Sequence, residues 1–100
     1  MRMELLLQWK NVDGKEKVMK AVVSKVNFKR GWVAYEMDEY DYGWLEILDT
    51  IELEEGDIIE GQLTDLGQAY ITKVGTNEKI DVFIEDYGMN YKKAIEMIMR

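Results

Sequence analysis

Short runs of alternating apolar and polar residues, broken by glycine, dominate this chain and predict strands. Met3, Leu5, Leu7 and Trp9 alternate with Glu4, Gln8 and Lys10, a period of two that places one row of side chains on one face. Asn11-Val12-Asp13-Gly14 then reads as a hairpin turn, because Asp-Gly tolerates the positive φ of tight turns. Lys17 to Phe28 reads as one long strand, with Val18, Val22, Val26 and Phe28 on one face and Met19, Ala21 and Val23 on the other. A strand apolar on both sides suits a coiled strand that bends around a small barrel. Lys29-Arg30-Gly31 is the next turn, and Trp32 to Met37 the next strand, with Val33, Tyr35 and Met37 sharing a face.

The pattern continues through an acidic loop, Asp38 to Gly43, and a short strand, Trp44 to Leu48. Ile58–Leu63, Ala69–Val74 and Lys79–Glu85 follow as strands separated by glycine turns. Gly61, inside its strand, marks a bulge or a barrel corner. Asn90 is a good helix N-cap. Tyr91, Ala94, Ile95 and Ile98 recur at i, i+3, i+4 and i+7, so a terminal helix buries that face and covers an open end of the barrel. The expectation is a mainly β, single-domain protein over residues 1–100: a small OB-like closed barrel at 17–86, an N-terminal hairpin extension at 1–16 and one C-terminal α-helix at 90–100. An SH3-like barrel is the alternative topology for the same strands.

Composition narrows the chemistry. The 100 residues include no Cys and no His, and Ser24, the lone serine, falls inside a strand. Disulfides, the usual zinc sites and nucleophile systems built on His or Cys are thereby excluded. No apolar run approaches a membrane span, and no signal-peptide pattern is expected, so a cytoplasmic setting is predicted. Charge is sorted along the chain. Residues 1–30 carry a net +5, residues 31–72 a net −12 with no Lys or Arg, and residues 73–100 balance, for an overall −7. Such sorting bears on partners and encounter rather than fold.

Three segments resemble the cold-shock type of OB-fold barrel. The first runs from Ala21 to Tyr35, where Val26-Asn27-Phe28-Lys29-Arg30-Gly31-Trp32 is similar to the family's opening hairpin. The second is Leu53-Glu54-Glu55-Gly56-Asp57-Ile58-Ile59-Glu60-Gly61, and the third Leu66-Gly67-Gln68-Ala69-Tyr70-Ile71-Thr72-Lys73-Val74. The resemblance covers residues 21–74 and implies a single-stranded nucleic-acid platform, in which rings stack bases and basic residues follow the backbone. Phe28, Trp32 and Tyr35 fall at ring positions, and Lys25, Lys29 and Arg30 at phosphate positions. In the second aromatic motif's place, Trp44-Leu45-Glu46-Ile47-Leu48, only Trp44 matches in kind.

Two surfaces are therefore candidates. Asp38, Glu39, Tyr40, Asp41, Tyr42 and Trp44 interleave carboxylates with aromatics, which suits contact with a protein bearing a basic surface, or mimicry of a phosphate backbone. Lys25, Phe28, Lys29, Arg30 and Trp32 form the basic-aromatic alternative for single-stranded RNA or DNA. The acidic loop lacks the spacing of a calcium loop, so no metal is expected there. The pairs Glu54/Glu55 and Glu85/Asp86 sit at predicted turns, where water would keep both carboxyl groups ordinary acids. The expectation is a non-catalytic binding module, without cofactor, that contacts another protein through the acidic-aromatic segment.

Overall fold

Alternation resolves into a cylinder because each strand has one apolar face to hide and a neighbour on each side to share it. A computed structural model describes residues 18–38 and 41–100. The predicted strand at Met3–Lys10, the turn after it and the hairpin extension at 1–16 lie outside the described residues, as do Glu39 and Tyr40. Six strands, β1 (Met19–Asn27), β2 (Trp32–Asp38), β3 (Asp41–Ile47), β4 (Ile58–Gly61), β5 (Gly67–Lys73) and β6 (Glu78–Met89), precede one helix, α1 (Tyr91–Ile98). They close in the order β1-β2-β3-β6-β5-β4, with every adjacent pair antiparallel. This small closed barrel, mainly β with a single short C-terminal helix, is the expected fold class and is compatible with an OB-like arrangement.

The interior is apolar. Val23, Val33, Tyr35, Leu45, Ile59, Ile71, Ile80, Val82 and Ile84 point inward from the strands, and Leu53 and Leu63 plug in from the connections. Among the described residues no charged side chain is buried. Ile80, Val82 and Ile84 alternate as the sequence pattern predicts.

Strand β1 departs from the predicted phase. Val23 lies opposite Tyr35 but Lys25 opposite Ala34, so Ser24 is an extra residue and the register shifts. Ala21 and Val23 face the core before this bulge and Val26 after it, whereas Val18, Val22 and Phe28 are exposed. One inserted residue inverts which positions point inward. Val23, the residue before the bulge, is held by the segment leading into β4: its N–H donates to Asp57 O at 2.8 Å and its carbonyl accepts from Gly56 N at 2.9 Å.

The segment Asp38–Gly43 is not all loop. Strand β3 already starts at Asp41, with Tyr42 opposite Glu36 and Gly43 opposite Tyr35. A Cβ on Gly43 would lie 2.7 Å from the Tyr35 hydroxyl and 2.8 Å from the Asp86 carbonyl. This glycine therefore permits close packing within a strand instead of making a turn. Strand β6 likewise continues past Glu85 to Met89, opposite Tyr42.

Helix α1 starts where Asn90 predicts, the Asn90 side chain accepting from Lys93 N at 2.8 Å. It does not plug a barrel end. Ala94 and Ile98 pack with Ala34 and Trp44, residues of β2 and β3 that face outward, to form a second cluster on the barrel wall. Tyr91, placed on the buried face by its spacing, is more than half exposed: it opens the helix, where its ring meets Tyr42 edge-on instead of entering the cluster with Ala34 and Trp44.

Candidate functional site

The outer face of β1–β3 carries both candidate surfaces, one toward each end. At the β1–β2 end, the turn closes with Gly31 N donating to Asn27 O at 2.9 Å, and Gly31 has a φ of 70°. This geometry pushes Phe28 into solvent at 63% exposure. Lys29 and Arg30 are exposed beside it. The Arg30 guanidinium sits 4.8 Å from the Trp32 ring centroid, and its Nε donates to Arg100 O at 2.9 Å. Lys25 lies 4.0 Å from Glu55, an exposed pair of small energetic weight.

Trp32 is half-buried. Its ring meets Trp44 at a centroid distance of 5.2 Å, tilted by 58°. Across the ladder it faces Glu46, which in turn faces Phe83. Phe28 borders an open cleft of about 340 Å³ that includes Val26, Ile47 and Ile51, with Asp49 and Glu52 also in its lining. The basic-aromatic set is thus gathered in space, but carboxylates flank both the exposed Phe28 and the half-buried Trp32. Tyr35 does not belong to it. That ring is fully buried, its hydroxyl donating to Leu63 O at 2.8 Å. Burial first, then the charges of Asp41 and Asp86 and the Tyr87 hydroxyl, hold its phenol far above the ordinary tyrosine range.

At the opposite end lies the acidic-aromatic set. Asp38 is exposed, and Asp41 and Tyr42 are half-buried. Trp44 does not stand out as an anchor: it is 8% exposed, beneath α1. Its place is taken by residues from the far end of the chain. Tyr91 meets Tyr42 edge-on at 5.4 Å. Asp86 lies opposite Trp44, Met89 opposite Tyr42, and Tyr87 is 40% exposed. Burial raises the Tyr42 hydroxyl above its usual range, and the neighbouring Glu36 carboxylate adds to the rise. Tyr42, Tyr91 and Glu36 thus meet in one corner, and Asp41, Asp86 and Tyr87 gather at the same end of the barrel around the Tyr35 phenol.

Sequence reading missed Tyr87, Tyr91 and Asp86 as members. Tyr91 reads as a buried helix position and Asp86 as half of an acid pair, since nothing local reveals that β6 runs beside β3. The chain matches no protein-family model, no curated protein and no solved structure. Among the described residues no helix is long and apolar enough to cross a membrane, and no group of three or more acidic side chains is placed to hold a metal ion.

Two polar groups carry a cost. The Trp44 indole N–H is buried without a hydrogen-bond partner, a situation that costs about 1–3 kcal/mol. Glu85 lies inside β6 rather than at a turn, and burial, then the Glu46 carboxylate, raises its carboxyl above the usual value. A carboxyl raised on folding favours the folded state only while protonated. That contribution is present below the unfolded value of 4.5 and is lost as pH rises through the folded one. Glu85→Gln is therefore expected to raise the urea midpoint at pH 7, by a change within about 0.5 kcal/mol, and the gain should shrink as the pH falls below the carboxylate range. A midpoint lower than that of the parent at pH 7 would contradict this account of Glu85.

Proposed function

We propose that this chain is a non-catalytic binding module that holds a basic segment of another protein at the tyrosine-carboxylate corner. The observation that carries this reading is the meeting of Tyr42 and Tyr91 at 5.4 Å with the Glu36 carboxylate beside Tyr42, at the end of the barrel where Asp41 and Asp86 lie close enough to the Tyr35 phenol to act on it. Tyrosine offers a broad apolar face at small entropic cost and a hydroxyl that stays wet, the combination favoured at the centres of interfaces. The carboxylates around it attract Lys and Arg at a distance and set orientation on contact. The net charge of −7 acts in the same direction.

The test compares capture of partner proteins from an extract of the source cell. Asp41→Lys combined with Asp86→Lys is expected to abolish retention of whatever the parent chain holds, and Tyr42→Ala to weaken it at least tenfold. Lys29→Glu, at the other end, should leave it unchanged. Retention that survives both corner variants and disappears with Lys29→Glu would overturn the reading.

A second reading has one observation in its favour, the 63% exposure of Phe28 between Asn27 and Lys29. In it the barrel is an OB-like one of the cold-shock type with an additional strand, since the OB-fold has five strands. Phe28 and Trp32 stack single-stranded bases while Lys25, Lys29 and Arg30 meet phosphates. Quenching of Trp32 by a short oligonucleotide, weakening as salt rises, distinguishes it from the first reading.

A further inference from the structure

Helix α1 stands apart from the barrel that carries it. The barrel core is complete without it: Ala94 and Ile98 belong to the outer cluster with Ala34 and Trp44, and no helical residue enters the inner one. The helix has eight residues, a length at which an isolated helix is not stable in water. Its charges oppose its own dipole, with Lys92 and Lys93 in the first turn, no acid there and no basic residue in the last turn. Beneath it the Trp44 indole N–H finds no acceptor, a deficit that water would repair if the helix lifted. Two side-chain hydrogen bonds fasten its C-terminal end, Asn27 Nδ2 to the Ile98 carbonyl at 2.6 Å and Arg30 Nε to the Arg100 carbonyl at 2.9 Å.

We propose that α1 is a reversible cover on the barrel wall, docked in one state and released in another while β1–β6 stay folded. Docked, it places Tyr91 against Tyr42 and hides Trp44. Released, it separates the two tyrosines and bares the Trp32–Trp44 pair beside Arg30. One helix thereby decides which of two aromatic surfaces the barrel presents. The statement about Tyr91 rests on the reading of the tyrosine corner as a binding surface; the motion of the helix does not.

Residue-resolved hydrogen exchange on the full, unmodified chain tests the motion. The amides of Ala94 to Met99 are expected to exchange roughly 100-fold faster than the paired amides of β2 and β3 beneath them, through an opening that leaves the barrel protected. Exchange of the α1 and β2–β3 amides at one common rate, falling together with denaturant, would overturn the proposal. Ile98→Asp supplies a second measurement. It should shift indole emission to the red and increase acrylamide quenching at least twofold, while the cooperative melting of the β signal persists. Loss of the barrel transition in that variant would also overturn the proposal. Neither readout involves a partner, so failure here is distinguishable from failure of the binding assay.

Discussion

Leu45→Ala is expected to lower stability by about 2–5 kcal/mol, the range for truncating a fully buried leucine. Leu45 is 0% exposed and shares the inner cluster with Val33, Tyr35, Leu53 and Ile84. The closed wall around it cannot collapse into the vacated space without breaking ladder pairs: Leu45 sits opposite Val33 on one side and Ile84 on the other. The lost transfer energy is therefore joined by the cost of a cavity. Leu66→Ala provides the contrast, since Leu66 is 59% exposed and the same chemical change there should stay within about 0.5 kcal/mol. Urea denaturation at one pH measures both. Similar midpoints for the two variants would mean that Leu45 is not where the inner cluster places it.

Gly43→Ala is the second large effect, and it acts by crowding. The added carbon would stand 2.7 Å from the Tyr35 hydroxyl oxygen, 2.8 Å from Tyr35 Cζ and 2.8 Å from the Asp86 carbonyl. Two of these neighbours belong to a buried ring held by its bond to Leu63 O, and the third is backbone of β6. Neither moves freely, so a loss of about 1–3 kcal/mol is expected. Tyr35→Phe alone should cost about 1 kcal/mol, for the hydrogen bond to Leu63. Combined, the two should cost less than their sum, because removing the hydroxyl removes one of the clashes. Gly43→Ala costing as much in the Tyr35→Phe background as in the parent would show that the hydroxyl is not what the new carbon meets.

What the amino-acid order reveals here is local. The alternation of Ile80, Val82 and Ile84 needs only a period of two, and Asn90 needs only its own side chain and Lys93 N, so both are readable. The Arg30-Gly31 turn is readable for the same reason. Ser24 is different. Whether it is a paired residue or an inserted one depends on Tyr35 and Ala34 across the ladder and on Gly56 and Asp57 reaching back to Val23. Gly43 is misleading, since glycine next to acidic and tyrosine residues reads as a loop, whereas here it makes room for Tyr35 and Asp86. The amphipathic spacing of α1 identifies an apolar stripe but not the surface that receives it. Ala34 and Trp44 on the outer wall receive it, and that pairing joins residues far apart in the chain. The candidate corner is the extreme case, half of it coming from β2–β3 and half from the end of β6 and α1.

Closure of the cylinder carries a consequence for how anything attaches to it. Every strand has a hydrogen-bonded companion on both flanks, but β4 and β5 join only at Ile59–Lys73 and Glu60–Thr72, so among the described residues the β4-facing side of β5 at 67–70 is a short margin along which a foreign peptide could add as a strand. Self-association by strand templating, the hazard of open sheets, is limited to such short margins by the closure. Elsewhere on the wall recognition falls to side-chain chemistry, and evolutionary change in what this scaffold grips can proceed there by surface substitution without disturbing the main-chain ladder.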